Sequence, residues 1–189
     1  MRRTIFTTVN VADAAALIAS AMRHPGERWA DLGAGTGTFT LALASLLGPT
    51  GSVLAVERDA SALASLEALA RRRTAGVATI SPMHADFSRP LALPALDGIL
   101  LANALHFVRD ADQSRVLGDV ARHLRPDGRL VLVEYEGRGP SRWVPFPVSF
   151  ARFGVLARDA GLGDPVRAGA RRSAFGGTMY AAVAERVGP

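Results

Sequence analysis

Apolar residues along the chain alternate between the spacing of a helix and the spacing of a strand, a pattern typical of an α/β protein. Asn10 and Asp13 resemble a capping box and predict the start of an opening helix. Its apolar stripe consists of Leu17, Ile18, Ala21 and Met22. The segment "RWADLG" predicts a short strand, and Gly48 and Pro49 end the helix that follows it. The apolar face of this second helix consists of Phe39, Leu43, Leu46 and Leu47.

The middle of the chain continues the same alternation. "SVLAVE" predicts a buried strand, and the helix after it carries Leu63, Leu66 and Leu69 on one side. "VATI" and "GILLAN" predict two further strands, each followed by a polar residue. We then expect a helix from about Asp110 to Leu124, a turn at "RPDG" and the strand "RLVLVEY".

The last quarter of the chain predicts a loop, a helix and a hairpin. "GRGPSRWVPFP" is rich in glycine and proline, and "VSFARFGVLARDAG" has the pattern of a helix. The strands "PVRAGARRSAF" and "TMYAAVAERV" are joined through Gly176 and Gly177, which is too short a connection for parallel strands. The sequence therefore predicts a doubly wound, Rossmann-like sheet that is mostly parallel and ends in an antiparallel hairpin.

Composition excludes several classes of protein. With 189 residues, 49% hydrophobic and 21% charged, we expect a single globular domain over residues 1–189. The absence of cysteine excludes a disulfide framework, a thiolate metal cluster and a cysteine nucleophile. The apolar runs are too short for a membrane span and the N-terminus lacks a signal peptide's apolar core, so we expect a cytoplasmic protein.

The net charge of +5 comes entirely from arginine, because the chain contains no lysine. The densest cluster is Arg71, Arg72 and Arg73, which ends a predicted helix where cations complement the macrodipole. No aromatic residues interleave with it as a nucleic-acid stacking surface requires. A nucleic-acid partner is therefore disfavoured but stays open.

Three alternate glycines, Gly33, Gly35 and Gly37, follow the first predicted strand. A glycine-rich turn at the carboxyl end of a parallel strand suits a nucleotide-like ligand, because the backbone can approach it closely. The dinucleotide fingerprint needs a small residue where Thr38 stands, and a phosphate-binding P-loop needs a lysine. The dinucleotide fingerprint therefore fails as written, and a P-loop is excluded.

The acidic residues around the glycines form an ordered set. Asp31 stands two positions before Gly33, and Glu57 ends the next strand, with Asp59 as an alternative to it. This set resembles motif I and the acidic second loop of the class I S-adenosylmethionine-dependent methyltransferases. A carboxylate favours the cofactor's sulfonium and ammonium charges, and one after the second strand can accept hydrogen bonds from ribose hydroxyls.

The resemblance continues along the chain and implies the family's seven-stranded sheet with an antiparallel final strand. "HADF" stands where the family places an acid that reads the adenine amino group, and "LDGILLANALHFVRD" matches the loop beneath the methionine. "HLRPDGRLVLVEY" matches the family's turn into the fifth strand, with Asp127 where glycine is usual. The cofactor-binding residues that the resemblance implies are Asp31, Gly33, Ala34, Gly35, Gly37, Glu57, Arg58, Asp86, Phe87 and Asn103.

The resemblance also implies where catalysis takes place. His106 and Tyr135 are the candidate catalytic residues, although methyl transfer needs no obligatory base and His106 could instead start a helix or close the cleft floor. No metal is expected, because the stretch after the fourth strand lacks an obvious acidic cluster. The helix within residues 1–27 is expected on the acceptor side, and residues 137–189 are expected to supply the C-terminal helix and hairpin.

The acceptor is expected to be a small molecule methylated at oxygen or nitrogen. "NALH" stands where enzymes that methylate nitrogens in large polymers carry an N-P-P-Y-like motif. Trp143, Phe146 and Phe150 could wall an acceptor pocket, form a subunit interface in a homodimer, or simply pack. Two alternatives stay open: a cofactor-binding module without catalysis, and an RNA or protein methyltransferase using rim arginines such as Arg138, Arg142, Arg171 and Arg172.

Overall fold

The computed structural model describes residues 9–72, 75–173 and 176–187. Its seven strands are β1 Arg28–Leu32, β2 Ser52–Glu57, β3 Thr79–His84, β4 Leu96–Ala102, β5 Leu124–Glu136, β6 Val166–Arg172 and β7 Thr178–Glu185. Its helices are α1 Val11–Ile18, α2 Thr38–Leu47, α3 Ala60–Arg71, α4 Asp110–Ala121 and α5 Phe150–Asp159, with short 3-10 helices at Ala19–Ala21 and Leu105–Phe107. Within the described residues, no helix has both the length and the apolar character that crossing a membrane requires.

The strands form one sheet in the order β3-β2-β1-β4-β5-β7-β6. Strands β1 to β5 pair in parallel, whereas β7 runs antiparallel to both β5 and β6. This confirms the predicted mostly parallel sheet with its C-terminal hairpin. The chain winds outward from β1 to β3 and then returns to place β4 on the other side of β1, so the topological switch point lies between β1 and β4.

Helices cover both faces of the sheet because the inner strands bury side chains on both sides. One core contains Leu17 of α1 and Leu43 of α2 packed against strand residues such as Val53 and Val131. The other contains residues of α4 and α5, including Leu117 and Phe153, packed against the alternate residues of the same strands. This layering is the doubly wound arrangement that the periodicity predicts.

The opening helix is fixed at both ends. Asn10 Oδ1 accepts a hydrogen bond from Asp13 N at 2.8 Å, which is the forward half of the predicted capping box. The Asp13 carboxylate lies 3.0 Å from Arg171 Nη2 of β6. At the other end, the buried Arg129 of β5 donates to Ala21 O and lies 2.5 Å from Glu27 Oε2. These contacts hold α1 against the β6 side of the sheet.

The structure corrects the predicted end of α4. The helix ends at Ala121, and Leu124 is already part of β5, where its side chain is buried in the core. Leu96 pairs with Leu124 and Gly98 pairs with Arg129, so the "RPDG" stretch forms an irregularity within the strand. Asp127 there has φ +62°, a left-handed conformation that aspartate tolerates better than most residues.

Two other boundaries also differ from the predictions. β3 begins at Thr79 and includes Pro82, rather than covering "VATI", and a proline is tolerated there because β3 is an edge strand. α5 begins at Phe150, because the Ser149 side chain caps it by accepting from Arg152 N at 3.1 Å. Arg73 and Phe175, which the predictions include, lie outside the described residues.

Candidate active site

A cavity of about 750 Å³ opens at the switch point, at the carboxyl ends of the parallel strands. Its walls come from the loops after β1, β2, β3 and β4 and from the first turns of α4. Asp31, Gly37, His106 and Tyr135 are not part of this wall, although Asp31 and His106 each lie within two residues of one that is. The other predicted cofactor-binding residues line the cavity: Gly33, Ala34, Gly35, Glu57, Arg58, Asp86, Phe87 and Asn103.

The three glycines of the first loop have different physical roles, although all have positive φ. A Cβ at Gly33 would lie 2.7 Å from Ala104 Cβ, and one at Gly37 would lie 2.9 Å from the methyl groups of Leu66 and Leu69. A Cβ at Gly35 would meet no atom within 4 Å. Gly33 and Gly37 are therefore required by packing, whereas Gly35 leaves open space at the wall of the cavity.

Asp31, at the end of β1, is a buried carboxyl group with one unused oxygen. Its side chain is 1% exposed, and Oδ2 accepts a hydrogen bond from Thr40 Oγ1 at 2.6 Å. Oδ1 has no hydrogen-bond partner among the described residues. The pKa of Asp31 is raised to about 7. Burial is the main cause and the charge of Glu57 adds to it, while the Thr40 hydrogen bond acts in the opposite direction.

A second unused oxygen belongs to Asn103, the residue after β4. Asn103 has φ +53°, and its backbone N donates to Val133 O at 2.9 Å. Its Oδ1 is buried and has no hydrogen-bond partner within the described part of the chain. Since β1 and β4 are adjacent parallel strands, both unused acceptors lie near the switch point. Such acceptors are rare in folded proteins and mark a place where a donor is missing.

Glu57, at the end of β2, is held by three backbone N–H groups. Its Oε2 accepts from Gly35 N, and its Oε1 accepts from Arg58 N and Asp59 N, each at 2.8 Å. These donors stabilise the ionised carboxylate and fix its orientation, while Oε2 keeps capacity for a second donor. The alternative carboxylate, Asp59, caps α3 by accepting from Ala62 N at 2.8 Å.

Asp86 and Phe87 form the far wall of the cavity. Asp86 Oδ1 accepts from Ser88 N at 2.9 Å and from Ser88 Oγ at 2.7 Å, while Oδ2 lies 3.7 Å from Arg58 Nη1. Burial alone would raise the pKa of Asp86, but the Ser88 hydrogen bonds and the charges of Arg58 and Arg89 outweigh it and lower the pKa. Asp86 is therefore ionised at neutral pH, whereas about half of the Asp31 side chains are protonated there.

His106 and Glu134 form a buried pair beside the cavity. His106 Nδ1 lies 2.7 Å from Glu134 Oε2, and His106 N donates to Glu134 Oε1 at 3.1 Å. In the tautomer in which Nδ1–H donates to this carboxylate oxygen, Nε2 carries the free lone pair of the ring. The Tyr135 ring lies 6.2 Å from the His106 ring, and burial raises the pKa of Tyr135.

The aromatic loop before α5 does not line the cavity. Trp143 is 73% exposed, with the Arg142 guanidinium stacked over it. Phe146 N donates to His106 O at 3.0 Å, and the Phe150 ring packs edge-on against Tyr180. The Phe150 ring is thus packed within the fold.

Several residues that line the cavity or support it are absent from the sequence prediction. Thr40 donates a hydrogen bond to Asp31 from the first turn of α2. Its only sequence signal is that it lies in the helical turn that follows the glycines. Ser88, Phe107, Arg109, Asp112 and Arg115 also line the cavity. None of the arginines predicted at the rim does so. Arg138 stacks over Tyr135, and Arg171 pairs with Asp13.

Among the described residues, no group of three or more His, Asp or Glu side chains is placed to hold a metal ion.

Comparison with known families gives one match to a family model. The family described as "Methyltransferase domain" matches residues 30–128, from the middle of β1 to the irregularity in β5. This range includes the loops that line the cavity.

Two curated relatives are similar over somewhat more than half of the chain. The rRNA 2'-O-methyltransferase fibrillarin of Neurospora crassa is 34% identical over 113 residues, which are 58% of this chain and 32% of that protein. The ubiquinone/menaquinone biosynthesis C-methyltransferase of Ectopseudomonas mendocina is 31% identical over 118 residues, which are 61% of this chain and 44% of that protein. The chain thus spans less than half the length of these curated relatives.

Among solved structures, the Burkholderia thailandensis 1,6-didemethyltoxoflavin-N1-methyltransferase has the same fold, with a TM-score of 0.74 and 21% identity. The similarity covers 94% of this chain and 78% of that one, and that structure contains bound S-adenosylhomocysteine.

The raised pKa of Asp31 predicts a pH-dependent effect of Asp31→Asn on stability. The folded state holds the Asp31 proton up to about pH 7, whereas the unfolded state releases it near pH 3.8, so the unliganded protein loses stability between these values as pH rises. Asn has no such titration and can still accept from Thr40. We expect the variant to match the parent protein near pH 4 and to be more stable by roughly 2–4 kcal/mol at pH 8.

Urea unfolding at both pH values measures this difference. Asp59→Asn, which removes an exposed carboxylate from the cap of α3, is the control and should show no gain in stability at pH 8. Equal stability of the parent and Asp31→Asn at pH 8 would contradict the assignment.

Proposed function

The chain belongs to the methyltransferase domain family, and from this premise we propose that it binds S-adenosylmethionine in the switch-point cavity and methylates an oxygen or nitrogen of a small molecule. The observation that carries the proposal is the pair of unused buried oxygens, Asp31 Oδ1 and Asn103 Oδ1. The methionine portion of this cofactor has a cationic ammonium group with three donors, which is the kind of partner that both oxygens lack. A phosphate group at this end would be repelled by the carboxylate.

The other predicted residues fit the remaining parts of the cofactor. Glu57 has a fixed orientation and spare acceptor capacity for ribose hydroxyls. Asp86 Oδ2 is the acceptor for the adenine amino group, and Phe87 offers an apolar surface to the base. Gly35 provides the open space that lets the cofactor approach the backbone. The product S-adenosylhomocysteine would use the same contacts, and none of them requires a metal.

The bound cofactor supplies a methyl group activated by the positively charged sulfur. The chain's own contribution is to orient the acceptor, exclude water and accept a proton from the acceptor where necessary. His106 Nε2 is the candidate base, and Glu134 holds the ring in the matching tautomer. Tyr135 is a second candidate that would act on the acceptor from the end of β5.

A second candidate function is RNA methylation, because one curated relative is an rRNA methyltransferase. The arginines on the described cavity wall that could contact such an acceptor are Arg58, Arg109 and Arg115, and each lies within 4 Å of a carboxylate. Their pairing favours a small acceptor. Binding to RNA that weakens steeply with added salt would favour the alternative. Cofactor binding without turnover on any acceptor would favour a non-catalytic module.

Calorimetric titration tests the proposed cofactor. S-adenosylmethionine and S-adenosylhomocysteine should bind with micromolar dissociation constants, about −8 kcal/mol, and NADH should not bind. Gly35→Ala should weaken this binding at least tenfold, because its methyl group enters the open space beside the cavity. Gly161→Ala is the matched control, since Gly161 also has positive φ (+75°) and a Cβ there also meets no atom within 4 Å, but it lies after α5 and does not line the cavity. Absence of binding by both sulfur nucleosides would refute the proposal.

Substitution of His106 tests the catalytic assignment once an acceptor is found among small hydroxyl and amine compounds. His106→Gln should leave S-adenosylhomocysteine affinity within threefold and lower kcat by about a hundredfold or more. Tyr135→Phe is compared in the same assay. A full rate for His106→Gln would eliminate His106 as the base, and weakened cofactor binding would indicate a structural role instead.

A further inference from the structure

A series of contacts joins α4 to the turn that carries Asp86. Arg115, on α4, lines the cavity and donates from Nη2 to Ser88 O at 3.3 Å. Its Nη1 donates to Asp119 Oδ2 at 3.0 Å, and its Nη2 lies 3.9 Å from Asp112 Oδ1. Asp112 and Asp119 belong to the same helix, so the guanidinium is held from α4 while it reaches across to the turn.

The turn transmits this contact to the Asp86 carboxylate. Ser88 donates both its backbone N and its Oγ to Asp86 Oδ1, and Arg89 N donates to Asp86 O at 3.1 Å. The position of Ser88 therefore decides the orientation of the Asp86 side chain. Both Ser88 hydrogen bonds engage Oδ1, which leaves Oδ2 with the Arg58 guanidinium at 3.7 Å.

We propose that Arg115 is a positioning residue for nucleobase recognition: it holds Ser88, and through Ser88 it holds Asp86 with Oδ2 presented to the exocyclic amino group of the base. The inference rests on the proposed function. A carboxylate that is fixed in this way accepts a hydrogen bond from the 6-amino group of adenine and repels the 6-oxo group of hypoxanthine. A carboxylate free to turn away would distinguish the two bases less.

The inference concerns discrimination rather than overall affinity, because Arg115 is half exposed and its ion pairs contribute little to the stability of the fold. Loss of the arginine removes a restraint on one loop and leaves the glycine loop, Asp31 and Glu57 as they are. A loss of affinity should therefore appear only with a ligand whose base donates to Asp86.

The experiment compares the affinities of S-adenosylhomocysteine and S-inosylhomocysteine by calorimetry. The parent protein should prefer the adenine ligand by about tenfold or more, as expected for a hydrogen bond to a charged group. Arg115→Met should reduce this ratio by about threefold to tenfold, through weaker binding of the adenine ligand, while the affinity for the inosine ligand does not fall. Arg115→Lys should restore part of the ratio, because an ammonium can donate to Ser88 O. Arg122→Met is the matched control and should leave the ratio unchanged, since Arg122 pairs with the same Asp119 carboxylate but does not line the cavity.

A double-substitution cycle separates a positioning role from a merely structural one. In an Asp86→Ala background, where the acceptor is gone, Arg115→Met should cause no further change in the ratio. An equal loss of affinity for both ligands in Arg115→Met, or the same loss of discrimination with Asp86 absent, would overturn the inference and leave the proposed cofactor intact. Failure of the parent protein to bind S-adenosylhomocysteine would overturn both.

Discussion

The buried carboxyl group at the end of β1 is the constraint on which the site depends. Burying a carboxylate without a full set of partners is unfavourable, and Asp31 has one hydrogen bond, from Thr40, where it could accept several. The unliganded protein meets this cost by raising the pKa of Asp31 to about 7. A cationic ligand beside Asp31 would supply the missing partner for the buried carboxylate. The same carboxylate therefore destabilises the unliganded protein and favours binding of the cation.

The fold explains why this unfavourable group persists. The reversal of strand order between β1 and β4 leaves a crevice that helices cannot fill, and it brings the ends of both strands to one place. Gly33 and Gly37 allow the first loop to pack tightly beneath that crevice, against Ala104 and against α3. The rest of the sheet, with helices on both faces, holds this geometry rigid.

Much of the fold is predictable from the sequence because it depends on local periodicity. Strand β2 is found as predicted, and the short connection at Gly176 and Gly177 correctly predicts the antiparallel hairpin. The predicted end of α4 was wrong because an apolar residue such as Leu124 fits a helix and a strand equally well. Its pairing with Leu96 is what makes Leu124 a strand residue. The presence of Pro82 within β3 likewise depends on the edge position of that strand.

The sequence indicates which loops form the candidate site, but it does not indicate which side chains are hydrogen-bonded to one another there. Gly33 and Glu57 line one cavity because loops after parallel strands converge at one edge of the sheet. The 28-residue separation of His106 and Glu134 carries no sequence signal for their hydrogen bond. Arg115 escapes prediction for the same reason, since its contact with Ser88 joins two elements that are distant along the chain.

The most direct measurement is the number of protons exchanged when a ligand binds, obtained by calorimetry at pH 6.5 in buffers with different ionisation enthalpies. At this pH most Asp31 side chains are protonated in the unliganded protein, whereas the ligand's amino group is already charged. S-adenosylhomocysteine should release roughly half a proton or more as its ammonium group lowers the pKa of Asp31. 5′-Methylthioadenosine, which lacks the ammonium group, should release none. Equal proton release by both ligands, or none by S-adenosylhomocysteine, would contradict the account.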